Sequence, residues 1–382
     1  MRNESKKKVM VIGGGYAGIS LLHELKKHRD IELTLIDKSP NHVMQTHIHK
    51  YLSGHYSKED ITCDYQEYCK KNSIRFIQDE IIDIKFSDNY VETKNANTYK
   101  YDYIVIATGA TSFFPTQIEN ITMFTKDIKQ IENLDYYRET FLKLLRSKPK
   151  NKNILVVGGG VSGLQIACEY AQTILSNHLN SENIAVTLVE GLDTILPNMD
   201  KFLIEKSMQR CEQLGVKVIN KLFASKIFQD KVVLSNSLEL PYDILIFVVG
   251  VAGNSIKNIE NDVASNQRNQ IIVDEYYRIA PYQNAFAIGD IVQAIDVKTK
   301  TFQTPTAQAS RMQAELVSKN IINSIKGRNL VKNNISNKGI FIDLGGTNSA
   351  IGKLSALNIK GKIALWMKKL IYSLHIRKLN KM

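Results

Sequence analysis

Two carboxylates and two sets of glycines are the residues of this sequence whose types and spacing could do chemistry. Each carboxylate, Asp37 or Glu190, closes an apolar run downstream of a GxGxxG turn, at 13–18 (GGGYAG) or at 158–163 (GGGVSG). In such a turn the first glycine permits a tight bend, the second lets the backbone approach a pyrophosphate, and the third allows close helix–strand packing. A carboxylate after the next strand accepts a hydrogen bond from a ribose 2′-hydroxyl and repels a 2′-phosphate. The pattern predicts two dinucleotide sites, with NADH favoured over NADPH at the second.

The elements that must position these groups are a buried strand before each turn and a helix after it. VMVI at 9–12 and ILVV at 154–157 are runs rich in β-branched residues, which is typical of buried parallel strands. The free N–H groups and positive dipole end of the following helix face the phosphates. One such turn is a weak signal, whereas a complete repeat with its terminal acid is an internal duplication. Two nucleotide sites in one chain imply electron transfer between two nucleotides.

The composition is that of a globular protein with an unevenly placed basic excess. The 382 residues are 43% hydrophobic and 23% charged, with a formal net charge of +12, and the length suffices for two or three domains. The stretch 345–382 has eight lysines and arginines and no Asp or Glu. This asymmetry favours an anionic surface as the partner and argues against a nucleic-acid groove.

Cysteine and histidine spacing predicts neither a metal centre nor a dithiol centre. The four cysteines are Cys63, Cys69, Cys168 and Cys211. No two of them have CxxC or CxxxxC spacing, which favours a reduced chain in which they are packing residues. His42, His47 and His49 lie close together but lack a helical HxxxH pattern or supporting ligands, so we interpret them as a loop over a bound cofactor.

The C-terminal stretch 363–382 carries a second functional signal. Apolar side chains recur at helical spacing, at Ile363, Trp366, Met367, Leu370, Ile371 and Leu374, with lysines and Arg377 on other faces. A basic amphipathic helix with a tryptophan is typical of a membrane interface, where each basic residue near anionic lipid contributes roughly 1 kcal/mol. The alternative is a terminal helix docked on the protein's own core or on a partner. Deleting 361–382 is expected to release the protein from membranes while NADH oxidation by a soluble acceptor continues.

Neither end of the sequence indicates a membrane span or an export signal. No apolar run reaches the roughly 18 residues that cross a bilayer, and the polar, basic residues 1–8 leave no room for a signal peptide. Peripheral attachment at the cytoplasmic face of the cell membrane is therefore predicted.

Several motifs in a fixed order make the sequence similar to a known group of enzymes. The first glycine turn, YDYIVIATG at 101–109, the second glycine turn with Glu190, and FAIGD at 286–290 resemble the flavoprotein reductases that bind two dinucleotides. ILP at 195–197, TPTAQ at 304–308 and the basic tail make the chain most similar to type II NADH:quinone dehydrogenases. The resemblance spans nearly the whole chain.

This resemblance implies a cofactor, substrates and the residues that hold them. FAD would lie non-covalently in the first site and NADH in the second, with a hydride passing to the flavin and two electrons to a respiratory-chain quinone, without proton pumping. The residues implied for FAD are Gly13, Gly14, Gly15, Ala17, Gly18, Asp37, Lys38, Thr108, Gly109, Gly289, Asp290 and Ala307. Those implied for NADH are Gly158, Gly160, Gly163, Glu190 and Gly250. The catalytic and quinone-side residues are Gln165, Gln308 and Gln313, which act by positioning rather than as nucleophiles.

The sequence also departs from the family's pattern. Gln165 stands where the family has a glutamate near the nicotinamide, and Ser310 and Met312 alter the quinone-side motif AQxAxQ. A sulfide:quinone oxidoreductase is the nearest alternative, although it requires redox cysteines at the flavin and has no use for an NADH site. A disulfide reductase is disfavoured because 42–47 holds no CxxxxC pair. A flavoprotein that binds NADH for sensing, with little turnover, stays open.

We therefore predict an α/β fold with two Rossmann-type three-layer domains and a C-terminal membrane-binding helical segment. The FAD-binding domain would comprise 1–115 and 266–330, and the NADH-binding domain 116–265. Residues 331–382 would form a strand pair and the basic helix. Further helices are predicted at 58–71 and 304–325. The partners would be a quinone, an anionic membrane surface contacted by 361–382 and a second copy of the chain in a homodimer, without nucleic acid.

Overall fold

Two parallel sheets, one for each glycine turn, form the centre of the computed structural model. The structure describes residues 6–254, 256, 258–259 and 263–379, without the side chains of 374–378. The first sheet is parallel throughout, in the strand order Ala285–Ala287, Tyr103–Ile106, Lys7–Ile12, Ile31–Asp37 and Arg75–Gln78. The second is also parallel, in the order Lys217–Ile219, Ile184–Val189, Lys152–Val157 and Ile244–Phe247.

The strand that precedes each glycine turn lies inside its sheet, which explains its continuous apolar sequence. Residues 9–12 and 154–157 are all buried, as expected where helices cover both faces of a parallel sheet. Helix Tyr16–Leu25 follows the first turn and packs against helix Ala307–Ile325, while helix Val161–Ser176 follows the second turn. The predicted Rossmann-like α/β arrangement is confirmed.

Smaller elements complete the fold. One further sheet has the order Asn258–Ile259, Ile81–Lys85, Tyr90–Thr93 and Thr98–Lys100, and another Ala224–Ile227, Lys231–Leu234 and Glu239–Pro241. Strand pairs join Asn41–Val43 to Thr62–Asp64, Ala110–Ser112 to Val251–Gly253, and Ile271–Ile272 to Val292–Gln293. The other helices are Gln45–His47 (3₁₀), Ile48–Leu52, Lys58–Ile61, Tyr65–Lys71, Ile121–Phe124, Ile131–Arg146 and Lys201–Gln213.

Two predicted helices were wrong in their extent. The helix predicted at 58–71 is divided, because Thr62–Asp64 leaves the helical path to pair with Asn41–Val43, and the Asp64 side chain then caps the next helix by accepting from the N–H of Glu67. The helix predicted from 304 begins at Ala307, because Thr306 is its N-cap and accepts from the N–H of Ala309 at 3.1 Å.

The C-terminal segment contains the two predicted strands, a third strand and a helix. Ile340–Asp343, Ala350–Leu354 and Leu357–Lys360 form an antiparallel sheet. The helix Gly361–Lys378, here called the C-terminal helix, follows directly and packs on that sheet. It also reaches the helix that follows the first glycine turn, so this helix lies close to that turn.

Candidate functional site

Both glycine turns open into one cleft of about 1640 Å³. Its lining includes Gly15 and Asp37 from the first sheet and Gly160 and Glu190 from the second. Ligands of open α/β sheets bind beyond the carboxyl ends of the strands, and this cleft exceeds the roughly 300–1,000 Å³ of a typical ligand pocket. The volume and the paired turns are suited to two nucleotides held side by side.

The two acids predicted to hold ribose have the same hydrogen-bond geometry. Oδ2 of Asp37 accepts from the N–H of Gly14 at 2.7 Å, and Oε2 of Glu190 accepts from the N–H of Gly159 at 2.7 Å. The second oxygen of each carboxylate accepts from the N–H group two residues later, at 2.8 Å and 2.9 Å. Each carboxylate is therefore fixed by two backbone donors, while its remaining lone pairs can accept from a ribose hydroxyl.

Four of the six fingerprint glycines are required by the protein itself. Gly13 and Gly158 have φ values of +96° and +112°, which residues with a Cβ rarely adopt. A Cβ on Gly18 or Gly163 would lie 1.9 Å from the carbonyl oxygen of Gly13 or Gly158. These positions set the turn and the close approach of helix to strand.

Gly15 and Gly160 differ from the other four, because the protein alone does not require glycine there. Their φ values are −64° and −68°, and each is the N-cap of its helix. A Cβ on either residue would meet no protein atom within 4 Å. Both line the cleft, so the space that a Cβ would fill lies where a pyrophosphate meets the helix N-terminus. The residues present therefore fit a dinucleotide at each turn.

The residues predicted around the flavin come together along the same cleft. Those that line it are Ala17, Lys38, Thr108, Gly109, Gly289, Asp290 and Ala307. Gly250, predicted for the second nucleotide, also lines it. The Thr108 hydroxyl donates to the carbonyl oxygen of Asn254 at 2.8 Å, which ties the turn after the Tyr103–Ile106 strand to the second half of the chain.

Lys129 is a cleft residue that the sequence did not indicate. Its Nζ lies 3.4 Å from Oδ2 of Asp290, and its carbonyl oxygen accepts from Nε2 of Gln45 at 3.1 Å. Lys129 belongs to the connection between the two sheets, which carries no motif. Only the fold brings it to the Asp290 carboxylate.

The three predicted glutamines do not converge. Gln165 lines the cleft, but Gln308 lies outside that lining, in a separate small depression with Met312. Gln313 is buried, where its Oε1 accepts from the N–H of Gly289 at 2.6 Å and its Nε2 donates to Gln303 at 2.8 Å. Gln313 therefore holds the Gly289 turn in place.

A buried charge network lies behind Gln165 and joins distant parts of the chain. In the amide orientation that satisfies both neighbours, its oxygen accepts from the N–H of Asp343 at 3.1 Å and from Nζ of Lys368 at 2.8 Å. Oδ2 of Asp343 lies 3.5 Å from Nε2 of His49 and 3.7 Å from Nζ of both Lys368 and Lys50. Such charges are stable inside a protein only when paired.

The protonation of this network is shifted by burial and by its own charges. Burial lowers the pKa of Lys368 to about 8, although the Asp343 carboxylate opposes the shift. Burial raises the pKa of Asp343, but the hydrogen bond from His49 and the charge of Lys368 outweigh it and hold that pKa well below its usual range. Burial lowers the pKa of His49 to about 4 and that of His47 to about 3. Both histidines are neutral near pH 7.

Acid is expected to destabilise the protein through His47 and His49. The unfolded chain protonates them near pH 6.5 and the folded chain only near pH 3 to 4, so the unfolded state binds more protons below pH 6.5. Stability should fall as the pH drops from about 6.5 to 4, by about 1.4 kcal/mol per pH unit for each histidine. Melting temperatures of His47→Gln should fall less steeply than those of the exposed-site control His178→Gln. Equal slopes would exclude His47 as a source.

The C-terminal helix has one docked face and one exposed face. Ala364 and Lys368 are buried, whereas Ile363 and Trp366 are 65% and 63% exposed and Leu370 and Ile371 are also exposed. Lys368 was counted among the eight basic residues available to an anionic surface, but it is buried: small Ala364 lets the helix approach the sheet, which carries the lysine to Asp343. Met367 is half-buried. The predicted Leu374, Arg377 and Lys378 side chains, and 380–382, lie outside the described residues.

Within the described part of the chain, no helix combines the length and the apolarity needed to cross a bilayer.

The docked face of the C-terminal helix changes the expected effect of deleting 361–382. Such a deletion would remove Lys368 from the buried network and Tyr372 from the cleft wall. The truncated protein is therefore expected to lose stability, so attachment is better tested by substitutions on the exposed face.

Comparisons with known proteins agree with this geometry. A type II NADH:quinone oxidoreductase of Staphylococcus aureus (strain NCTC 8325 / PS 47) is 28% identical over 389 residues, covering 96% of this chain and 94% of the relative. NDH2 from Plasmodium falciparum, solved with NADH, has a TM-score of 0.83 at 19% identity, over 96% of this chain and 94% of that one. The sulfide:quinone oxidoreductase of Aquifex aeolicus has a TM-score of 0.83 at 20% identity, over 98% and 92%.

The family model for pyridine nucleotide-disulphide oxidoreductases matches residues 7–314, from the first strand of the first sheet into the helix that carries Gln313. The match covers both glycine turns, both acids and the whole wall of the cleft up to the C-terminal segment. The chain belongs to the pyridine nucleotide-disulphide oxidoreductase family.

Proposed function

We propose that this protein is an FAD-dependent NADH:quinone oxidoreductase. The observation that carries the proposal is the cleft that both glycine turns line. Beside each turn lies an acid, Asp37 or Glu190, and each acid is held by an equivalent pair of backbone hydrogen bonds. Names of relatives add support, since a Staphylococcus aureus relative that aligns with nearly the whole chain is called a type II NADH:quinone oxidoreductase.

The first site is proposed to hold FAD. Its pyrophosphate would meet the helix N-terminus at Gly15, and Asp37 would accept from its ribose. Thr108 and Gly109 would border the flavin, and Asp290 would bind the ribityl–pyrophosphate region. When bound, FAD accepts a hydride from NADH and passes two electrons on to a quinone. The proposed domain limits, 1–115 with 266–330 for FAD and 116–265 for NADH, rest on strand Ala285–Ala287 pairing in the first sheet.

The second site is proposed to hold NADH. Gly160 leaves room for the pyrophosphate, and Glu190 accepts from the ribose 2′-hydroxyl. A 2′-phosphate at the same place would be repelled by the negative charge of the Glu190 carboxylate, so NADPH is disfavoured. The chain's own contribution to the reaction is positioning: Gln313 fixes the Gly289 turn, and Lys129 neutralises Asp290 beside it.

The quinone is proposed to enter where the C-terminal segment closes the cleft. Ile340, Phe341 and Tyr372 line that wall and offer an apolar, partly aromatic surface. Ala307 lies in the cleft, whereas Gln308 and Gln313 would act from outside the lining. Gln165 lies in the same cleft and is held by Asp343 and Lys368.

A sulfide:quinone oxidoreductase is the second candidate, favoured only by the fold shared with the Aquifex aeolicus structure. The four cysteines are all buried, and none of them lines the cleft. A thiol that exchanges electrons with the flavin needs access to the cleft. An NADH:quinone oxidoreductase is therefore better supported than a sulfide:quinone oxidoreductase. A flavoprotein that binds NADH for sensing, with little turnover, would be bleached by NADH without being reoxidised by a quinone.

The test is a titration of the flavin-loaded protein with NADH in the absence of oxygen. The flavin absorbance near its visible maximum should bleach with NADH and with far less efficiency with NADPH. A soluble quinone added afterwards should restore the colour. Bleaching without reoxidation by quinone would favour sensing or another acceptor, and the absence of bleaching by NADH would refute the proposal.

Membrane attachment is proposed to use the exposed face of the C-terminal helix, where Lys362 and Lys369 are also exposed. Changing Trp366 and Leu370 to serine together should weaken binding at least about tenfold, because each side chain contributes about 1.5–3 kcal/mol when buried in lipid. Sedimentation with phosphatidylcholine vesicles, with and without phosphatidylglycerol, measures this. The control is Met123→Ser, an exposed apolar side chain in another helix. Equal sedimentation of both variants would contradict the proposal.

We also propose that the protein attaches at the cytoplasmic face of the cell membrane and forms a homodimer. The basic excess of 345–382 supports an anionic surface as the partner. Added salt should therefore weaken attachment to phosphatidylglycerol vesicles more than attachment to neutral ones.

A further inference from the structure

An exposed aromatic ring lies directly beside the acid of the second site. Glu190 is followed by Gly191, and a Cβ on Gly191 would lie 2.2 Å from Cε1 and 2.4 Å from Cδ1 of Phe223. The ring therefore rests on the backbone just after the acid. Phe223 is nevertheless 58% exposed, and its neighbour Leu192 is 48% exposed. Both side chains line the cleft.

The backbone holds these two side chains in place. The N–H of Phe223 donates to Oγ of Ser235 at 3.3 Å, and the N–H of Ser235 donates to the carbonyl oxygen of Phe223 at 2.8 Å. Leu192 donates its N–H to Glu190 and accepts at its carbonyl oxygen from the N–H of Lys221 at 3.0 Å. An exposed apolar surface with a fixed backbone is ready to bind a ligand with little loss of conformational entropy.

The first copy of the motif lacks this surface. Lys38 follows Asp37, and its Nζ lies 3.7 Å from Oε1 of Glu80. The two copies share the turn, the acid and the backbone hydrogen bonds of the acid, but differ in the ring beside the acid. The ring beside Asp37, that of Tyr65, is buried and hydrogen-bonded to the acid, whereas the Phe223 ring beside Glu190 is exposed, so the difference concerns what the second site can bind.

We propose that Phe223 and Leu192 form the adenine-binding surface of the second site, with the purine stacked on the Phe223 ring. The inference rests on the proposed function, in which that site takes NADH. The ribose that donates to Glu190 carries the adenine on the adjacent carbon atom, so the base must lie within a few ångströms of the carboxylate. A flat purine and an exposed phenyl ring are matched in shape and in apolar character.

The first experiment measures binding of ADP-ribose to the flavin-loaded protein by calorimetry. This molecule contains the adenine and both riboses but no nicotinamide, so the measurement does not depend on turnover. Phe223→Ala should bind about tenfold more weakly than wild type, because base stacking on an aromatic side chain is typically of that order. Phe223→Trp should restore binding. Phe302→Ala, which removes an exposed phenyl ring outside the cleft lining, is the matched control and should bind like wild type.

The second experiment compares two reductants with a soluble acceptor. In Phe223→Ala the KM for NADH should rise about tenfold with kcat unchanged, while the KM for reduced nicotinamide mononucleotide, which has no adenine, should not change. An equal loss with both reductants would assign Phe223 a merely structural role and overturn the inference, as would unchanged ADP-ribose binding in Phe223→Ala. If wild type binds no ADP-ribose and is not reduced by NADH, the proposed function itself fails.

Discussion

Gly160→Ala is expected to give a folded, yellow protein that NADH reduces only at concentrations at least about tenfold higher than wild type requires. The protein has room for the methyl group, since no atom lies within 4 Å of the added Cβ and φ is −68°. The methyl group would instead occupy the place where the NADH pyrophosphate meets the helix N-terminus. The measurement is the NADH dependence of flavin bleaching, with the melting temperature as the check on folding.

The first copy supplies the matched experiment. Gly15→Ala should fold equally well but purify with little flavin, because its methyl group stands at the FAD pyrophosphate. The flavin absorbance relative to protein absorbance measures this loss. If Gly160→Ala lost flavin and Gly15→Ala kept it, the assignment of the two sites would be reversed. If neither substitution changed flavin content or NADH dependence, the two turns would not be pyrophosphate sites.

Gly163 is the glycine of the second turn at which an alanine should damage the fold itself. Gly163→Ala would place a Cβ 1.9 Å from the carbonyl oxygen of Gly158, a backbone atom that cannot move without disturbing the turn. This variant is expected to melt several degrees lower than wild type, unlike Gly160→Ala. The contrast separates loss of ligand from loss of fold within one helix.

Lys368→Met is expected to destabilise the protein by about 3–5 kcal/mol, the usual cost of breaking a buried ion pair from one side. The Lys368 side chain is 4% exposed, and without it Asp343 keeps a negative charge in the interior with one lysine fewer to balance it. Gln165 also loses the donor of its 2.8 Å hydrogen bond. The melting temperature of the flavin-loaded protein measures the effect.

The neighbouring lysine and a double variant make this prediction specific. Lys369→Met removes the same charge from an exposed position on the same helix and should leave the melting temperature unchanged. Asp343→Asn combined with Lys368→Met should recover much of the loss, because the uncompensated charge is then gone. If Lys368→Met and Lys369→Met melt at the same temperature, the buried network does not stabilise the protein.

The sequence predicted the nucleotide-binding framework because that framework depends on local patterns. The strand, turn and helix around Gly13, and again around Gly158, are each formed by consecutive residues with a recognisable pattern, and the structure confirms the arrangement. The acids follow from the same logic, since each lies at the end of the next strand. Burial on both faces leaves such strands continuously apolar and easy to recognise.

The parts that the sequence did not predict depend on contacts between distant residues. Lys129 reaches Asp290, and Lys368 reaches Asp343 and Gln165, across separations that no local pattern encodes. The periodicity of the tail correctly predicted a helix, and four of its predicted apolar residues, Ile363, Trp366, Leu370 and Ile371, are exposed on it. It could not show that the opposite face docks, because a buried lysine and an alanine look like solvated positions until the partner carboxylate is known.

The strand Ala285–Ala287 completes the first sheet although the whole second sheet precedes it in the chain. On the ribosome, the N-terminal half therefore emerges with the backbone of Tyr103–Ile106 exposed at an open edge, and the second sheet can be finished before that edge is covered. Unpaired edges of this kind invite aggregation. We expect nascent chains that end before residue 285 to need chaperone protection, and flavin to be taken up late in synthesis.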